Sequence, residues 1–311
     1  MLNNTVIVIV GPTAVGKTKL SIEVAKKLDG EIISGDAMQV YKGLDIGTAK
    51  VTRDEMQGIP HHMLDIKAPD EPFSVADFQK TVQAHIQEIQ SRNKYPIIVG
   101  GSGLYIQATL YDYNFAKQMR DPKYTAKLED DIERHGIMPL YEKLQAIDPR
   151  HAKTIHPNNH RRIIRALEVF ELTDKTVTEH QNEQPTESPY DIHLIGLEME
   201  RDMLYDRINK RVDMMLAEGL IDEVRKLYDQ GFDKCQSMKA IGYKEFVPYF
   251  TGDMTLDEAI ELLKRHSRRY AKRQYTWFKN KMDVNWYPVT PGAEDKIFKI
   301  ILNDLAGIPH H

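Results

Sequence analysis

Cysteine is nearly absent. The 311 residues contain one, Cys235, so no intrachain disulfide can form and no multi-cysteine zinc site can be built. A reducing, cytoplasmic setting is the expectation. Long apolar runs are missing as well. The longest, such as residues 6–10 and 97–99, fall far short of the roughly 20 residues a membrane-spanning helix needs. No membrane partner is expected. The first apolar run leads straight into a glycine-rich turn, so no signal peptide is expected either. There is no internal repeat and no low-complexity tract.

The rest of the composition is ordinary for a globular chain, with 41% hydrophobic and 28% charged residues. That supports a sizeable core, in two domains or in one large domain with an insert. The net charge of −4 conceals a split. Residues 264–281 hold eight Lys or Arg and no acid, while Glu129, Asp130, Asp131 and Glu133 lean acidic. One basic segment suffices for nucleic-acid binding. A solvated helix face is the plainer reading of such a run. Tyr270 and Trp277, spaced from Leu263 by heptads, read more readily as core than as base-stacking platforms.

Residues 5–10 (TVIVIV) are continuously apolar and β-branched, which predicts a strand buried on both faces. A glycine-rich loop and a helix over 19–28 follow. Further strands are predicted at 31–34, 95–99 and 191–199, and a helix capped by Ser74 over 75–91. Strand, glycine turn and helix in alternation predict a parallel sheet with helices on both faces. Residues 121–180 show no strand pattern, only helices punctuated by Asp-Pro and His-Pro pairs. A polar, proline-bearing linker is read at 181–189. The expected class is α/β, a P-loop NTPase-like parallel sheet core (1–114 plus 191–311) with an all-helical insertion domain at 115–190.

The segment Gly11, Pro12, Thr13, Ala14, Val15, Gly16, Lys17 and Thr18 fits G-x-x-x-x-G-K-[ST] between a predicted strand and a predicted helix. The glycines let the backbone curl until several N–H groups aim at one anion. The helix dipole and Lys17 add positive charge, and the Thr18 hydroxyl can ligate Mg²⁺. The motif grips phosphate oxygens and is blind to the rest of the molecule, so ATP binding and diphosphate binding both suit it. Gly100 and Gly101 stand where an NTPase commonly carries an acidic strand end, which argues against triphosphate hydrolysis. Asp36 follows the second strand and shares the crevice beyond the strand ends. It can hold Mg²⁺, take a proton, or merely close a turn. Gln39 can pair with a base edge or sit on the surface. Arg161 with Arg165, and Arg207 with Arg211, lie four apart on helices. Either pair can hold phosphates or form ion pairs with Glu168, Asp206 and Asp213. Adjacent His61 and His62 point apart and fit a structural role better than a metal site.

The segments GPTAVGKT (11–18), SGDAMQVYKGLDIGTAK (34–50), PHHMLDI (60–66), GGSGLY (100–105), IHPNNHRRIIRALEV (155–169), AIGYKE (240–245) and AKRQYTWF (271–278) together resemble the tRNA dimethylallyltransferase family of the bacterial type. The resemblance implies transfer of a dimethylallyl group from dimethylallyl diphosphate to N6 of adenosine 37, in tRNAs reading codons that begin with U. Diphosphate is released, with Mg²⁺ as cofactor and a monomer as the expected state. It further implies that residues 11–18 hold the diphosphate. Asp36 would be the general base, Thr13 would stand near the bridging oxygen, and Arg211 would grip the diphosphate beside Lys17, with Arg207 its nearest rival. Contacts to the tRNA would come from Asp36, Ala37, Met38, Gln39 and Ser102. They would also come from Arg161, Arg162, Ile163, Ile164 and Arg165, and from Ala240, Ile241, Gly242, Tyr243, Lys244 and Glu245. The helical insert would embrace the anticodon stem-loop. Serine replaces the usual threonine in GGSGLY and keeps the hydroxyl. Three rivals make distinct predictions. A small-molecule kinase turns over ATP, a prenyltransferase acting on free AMP or ADP needs no tRNA, and a non-catalytic tRNA binder is indifferent to Asp36→Ala.

Overall fold

The computed structural model describes residues 4–115 and 121–308. The chain divides into two compact units, Met1–Leu110 with Ser188–His311, and Tyr111–Glu187.

The first unit grows from β1 (Thr5–Val10), all six residues of which are buried. Such a strand must lie inside a sheet covered on both faces. α1 (Lys17–Leu28) turns Leu20, Val24 and Leu28 inward and begins two residues before its apolar periodicity does, because Gly16 in a left-handed conformation acts as its N-cap. There follow β2 (Gly30–Ser34), α2 (Arg53–Met56), the two-residue β3 (His61–His62), α3 (Val75–Ser91), β4 (Tyr95–Gly100) and α4 (Gly103–Leu110). α3 starts where the sequence predicts, since Ser74 and Asp77 cap each other's backbone reciprocally.

The second unit holds α5 (Pro122–His135), α6 (Met138–Ile147), α7 (Pro149–Ala152), α8 (His160–Thr173) and α9 (Val177–Asn182), and no strand among its described residues. Asp121 and Asp148 accept backbone N–H groups at the starts of α5 and α7, with proline at the first helical position, which explains the Asp-Pro punctuation. The unit has its own core of Leu128, Leu140, Leu144, Ile163, Ile164 and Leu167. The linker read at 181–189 begins inside α9, whose capping box of Thr176 and Glu179 carries the helix to Asn182.

The first unit resumes with β5 (Asp191–Glu198), α10 (Arg201–Ala217), α11 (Leu220–Asp229), α12 (Val247–Phe250), α13 (Leu256–Lys281), β6 (Asn285–Pro288) and α14 (Glu294–Asp304). The six strands form one sheet in the order β3-β2-β4-β1-β5-β6, and every pairing is parallel. This is the parallel α/β core with a helical insertion read from the sequence. β3 and β6 are edge strands that sequence reading misses. His61 pairs with Ile32, and Trp286 pairs with Gly196. Because β1 lies between β4 and β5, strand order reverses beside it, and the crevice at the carboxyl ends of β1 and β4 is where such sheets place ligands.

Candidate active site

The loop between β1 and α1 is shaped by three left-handed residues, Gly11 (φ 144°), Ala14 (φ 66°) and Gly16 (φ 108°). At Gly11 a Cβ would fall 2.5 Å from the Leu197 carbonyl oxygen, so only glycine fits. No side chain caps α1, which leaves its first N–H groups for an anion. Lys17 curls over the loop and donates to the Gly11 and Pro12 carbonyls at 3.0 and 2.7 Å. Burial, helped by the Arg211 charge, pushes its ammonium down to about 7.

The facing wall comes from the turns after β2 and β4. These turns touch, since a Cβ on Gly100 would sit 2.3 Å from the Gly35 carbonyl oxygen. Asp36 Oδ1 accepts the Met38 N–H at 2.8 Å, and the Ser102 hydroxyl accepts the Ala37 N–H at 3.3 Å. Asp36 thus closes its own turn and also lines the crevice. Burial raises its carboxyl above the ordinary range, against the pull of the Met38 amide and the Lys17 charge. Arg211, on α10, forms no ion pair among the described residues, and burial lowers its guanidinium. Arg207 is tied to Glu294 at 3.0 Å and lines a further cavity with Gly16, Lys17, Thr18 and Arg211.

Two cavities meet here. A small polar one of about 110 Å³ is lined by Lys17, Thr18, Ser21, Ser34 and His61. A larger one of about 520 Å³ is lined by Met38, Ile241, Leu263, Tyr270 and Trp277. Thr13, Asp36, Gly101, Arg211 and Gln274 border both. Tyr270 and Trp277 therefore face the site, contrary to the reading of them as core, because α13 lies over the strand ends. Its Tyr275 hydroxyl accepts the Met199 N–H beyond β5 at 2.7 Å, and its Trp277 indole packs where a Cβ on Gly103 would fall 2.1 Å away.

Several residues read as RNA contacts serve the interior instead. Gln39 accepts from Ser34 at 2.8 Å and donates to the Thr48 and Ala49 carbonyls, so its amide edge is satisfied. Tyr243 is fully buried and donates to Glu223 at 2.6 Å. Glu245, also buried, accepts the Gly242 N–H and pairs with His266. Ala240, Ile241 and Lys244 do line the large cavity, as do Ala37, Met38 and Ser102. His62 pairs with Glu31 at 2.7 Å, and the His61 ring bonds the Ile59 carbonyl, in keeping with structural roles, although His61 also borders the polar cavity. Sequence reasoning missed Gln274 and Glu223.

In the helical unit, Arg161 and Arg162 are exposed and form no ion pair among the described residues, with Arg150 and Lys153 nearby in sequence and also exposed. Arg165 is tied to Glu168 at 2.5 Å. Ile163 and Ile164 are buried in this unit's core, so their side chains offer nothing to a nucleic acid.

A parallel sheet that brings an anion loop after β1 and a buried carboxylate after β2 to one crevice places the chain among phosphate-binding α/β proteins. The family model described as IPP transferase matches residues 39–281. The chain is 60% identical over 307 residues to the tRNA dimethylallyltransferase of Oceanobacillus iheyensis, covering 99% of this chain and 98% of that protein. It is 54% identical over 301 residues to that of Bacillus subtilis, covering 96% of each. Among solved structures it matches the tRNA isopentenylpyrophosphate transferase of Bacillus halodurans (TM-score 0.75, 53% identity, 98% and 96% coverage). It also matches a eukaryotic dimethylallyltransferase solved acting on tRNA (TM-score 0.80, 33% identity, 98% and 80% coverage). The chain belongs to the IPP transferase family and is a prenyltransferase.

Proposed function

We propose that this enzyme transfers the dimethylallyl group of dimethylallyl diphosphate to N6 of adenosine 37 in tRNAs reading UNN codons. One observation carries the reading. Two basic groups that form no ion pair among the described residues, Lys17 and Arg211, share a cavity border with the buried carboxylate of Asp36, beside a second cavity with apolar and aromatic walls. Cations at one end suit a diphosphate, and the apolar walls suit a five-carbon chain and an unstacked base.

In this reading, residues 11–18 cradle the diphosphate, with Lys17 and Arg211 stabilising the charge that grows as the C1–O bond breaks. The N6–C1 bond forms, and the amine proton passes to Asp36, whose raised affinity for protons suits a general base. Thr13, at the junction of both cavities, supplies a hydroxyl to the bridging oxygen. Mg²⁺ fits the polar cavity. The Thr18 hydroxyl lines it and would hold the ion, with phosphate and water completing the shell, which leaves the Asp36 carboxylate free for the proton. When bound, the ion neutralises diphosphate charge. Flipping the adenine out costs about a few kcal/mol, offset by phosphate contacts from Arg161, Arg162 and the exposed Arg265, Arg269 and Lys272 of α13. The motif's capacity for ATP is then incidental.

The test is incubation with labelled dimethylallyl diphosphate and unmodified tRNA, followed by nucleoside analysis of position 37. Asp36→Ala and Thr13→Ala are expected to cut transfer by orders of magnitude while tRNA affinity barely moves. Protein that ignores the prenyl donor but consumes ATP on a metabolite would overturn the reading.

A further inference from the structure

α13 reaches the reaction centre through one side chain with two faces. Gln274 is 5% exposed. Its Oε1 accepts the Thr13 N–H at 2.9 Å, and its Nε2 donates to the Gly101 carbonyl at 3.2 Å. The two partners fix which end is oxygen and which is nitrogen, since an amide N–H needs an acceptor and a carbonyl needs a donor. Thr13 belongs to the loop on β1, and Gly101 opens the turn on β4 that carries Ser102. The fit is close. A Cβ on Gly101 would lie 1.9 Å from Nε2.

We infer that Gln274 is a positioning residue for the transfer, a clamp that sets the spacing between the prenyl-donor loop at Thr13 and the base-facing turn at Gly101 and Ser102. This rests on the functional reading above. Gln274 borders both cavities, but the polar ends of its amide are taken by the Thr13 N–H and the Gly101 carbonyl. It acts through the Thr13 backbone, and so through the placement of the Thr13 hydroxyl. Its neighbours on the helix anchor the same span. Tyr275 is bonded to Met199, and Tyr270 faces Ser102 and Gln274. The helix that bears the basic stripe is therefore hydrogen-bonded to the ends of β1, β4 and β5, so a load on that stripe reaches both reacting partners.

The experiment compares wild-type enzyme with Gln274→Met and Gln274→Glu. Gln274→Met keeps the volume and loses both bonds. It is expected to lower kcat about 10- to 100-fold, the scale of a sub-ångström to 1 Å misplacement, with KM for the prenyl diphosphate within about threefold. Gln274→Glu separates positioning from mere core filling. When ionised it accepts from Thr13 but opposes the Gly101 carbonyl with a second lone pair. When protonated, its O–H donates to Gly101, and the amide's pattern returns. Its activity relative to wild type at each pH should therefore rise as pH falls, while that of Gln274→Met stays flat. The ratio is needed because Asp36, Lys17, Arg211, Tyr270 and His61 border the same cavity and give wild type its own pH profile. In parallel, the Thr13 amide proton should lose exchange protection in Gln274→Met and recover it in Gln274→Glu at low pH. An unchanged kcat in Gln274→Met, or a flat ratio for Gln274→Glu, overturns the proposal. Wild-type protein that transfers nothing overturns the functional reading instead, and the Thr13 amide then still decides whether the clamp exists.

Discussion

The carboxylate of Glu223 on α11 offers the sharpest perturbation of the acceptor side. Its Oε2 accepts the N–H groups of Asp45 and Ile46 at 3.1 and 2.9 Å, and its Oε1 accepts the Gly47 N–H at 3.1 Å and the Tyr243 hydroxyl at 2.6 Å. Gly47 in turn lies flat against the Tyr243 ring, where a Cβ would fall 2.5 Å from Cε2. In Glu223→Ala the amides of Asp45 and Ile46 can turn to water, but the Tyr243 hydroxyl is fully buried and Gly47 is half-buried. At about 1–3 kcal/mol for each of the two stranded donors, the loss is about 2–6 kcal/mol. Glu223→Gln recovers only part of this, because one of its two ends must present an NH₂ to backbone donors. Tyr243→Phe removes a single bond and should cost about 1–3 kcal/mol. The double variant should cost less than the sum by about 1–2 kcal/mol, since the two share that bond. Urea unfolding at neutral pH measures the four variants against wild type. Gly47, Thr48 and Ala49 border the large cavity, so transfer should slow in parallel. A Glu223→Ala protein within about 0.5 kcal/mol of wild type would refute the reasoning.

Other outcomes follow from charge and packing. Arg161→Ala and Arg162→Ala should each weaken tRNA binding and reduce the slope of log K against log salt by about 0.7–0.9, read from filter binding at several ionic strengths. An unchanged slope removes that residue from the interface. Burial alone would raise the Glu31 carboxyl, but Arg92 and His62 outweigh it and hold the group below its ordinary value of 4.5. Its folded form therefore binds its proton less readily than the unfolded chain does. The stabilisation is complete above the unfolded value and is lost as pH falls through the lower folded one. Glu31→Gln should be less stable than wild type at neutral pH, with the gap narrowing on acidification. A gap independent of pH would count against the pair. Gly103→Ala should destabilise by about 1–3 kcal/mol and distort the Trp277 wall, visible as altered indole fluorescence.

How far the sequence speaks depends on how local the cause is. β1 and α3 are legible because six consecutive apolar residues and a Ser74–Asp77 cap act within a few positions. The anion loop and Asp36 are legible because they follow strands, and strand ends in a parallel sheet converge. β6 is hidden, since Asn285–Pro288 has no apolar run and pairs only because β5 offers a free edge. Gln274 and Thr13 are 261 positions apart, and Glu223 meets Gly47 across 176. No window of sequence contains either pair. Gln39 looks like a base reader until its partners Ser34 and Thr48 are in view. Ile163 and Ile164 show the opposite error. They sit within a block of arginines, yet helical spacing alone already turns them toward Leu167 and away from solvent.

The end of β4 explains why a loop of this type need not hydrolyse triphosphates. A carboxylate there would have to grow from Gly100 or Gly101. At Gly100 a Cβ meets the Gly35 carbonyl oxygen at 2.3 Å, and at Gly101 it meets Gln274 Nε2 at 1.9 Å. Backbone and a neutral amide occupy the space an acidic side chain would need. The carboxylate is carried instead by Asp36, one strand away on β2, which borders the large cavity as well as the polar one. An acid placed to hold only a metal and a water would have no reason to reach the apolar cavity. The general-base role proposed for Asp36 requires that reach, while Gly100 and Gly101 leave the end of β4 packed against Gly35 and Gln274.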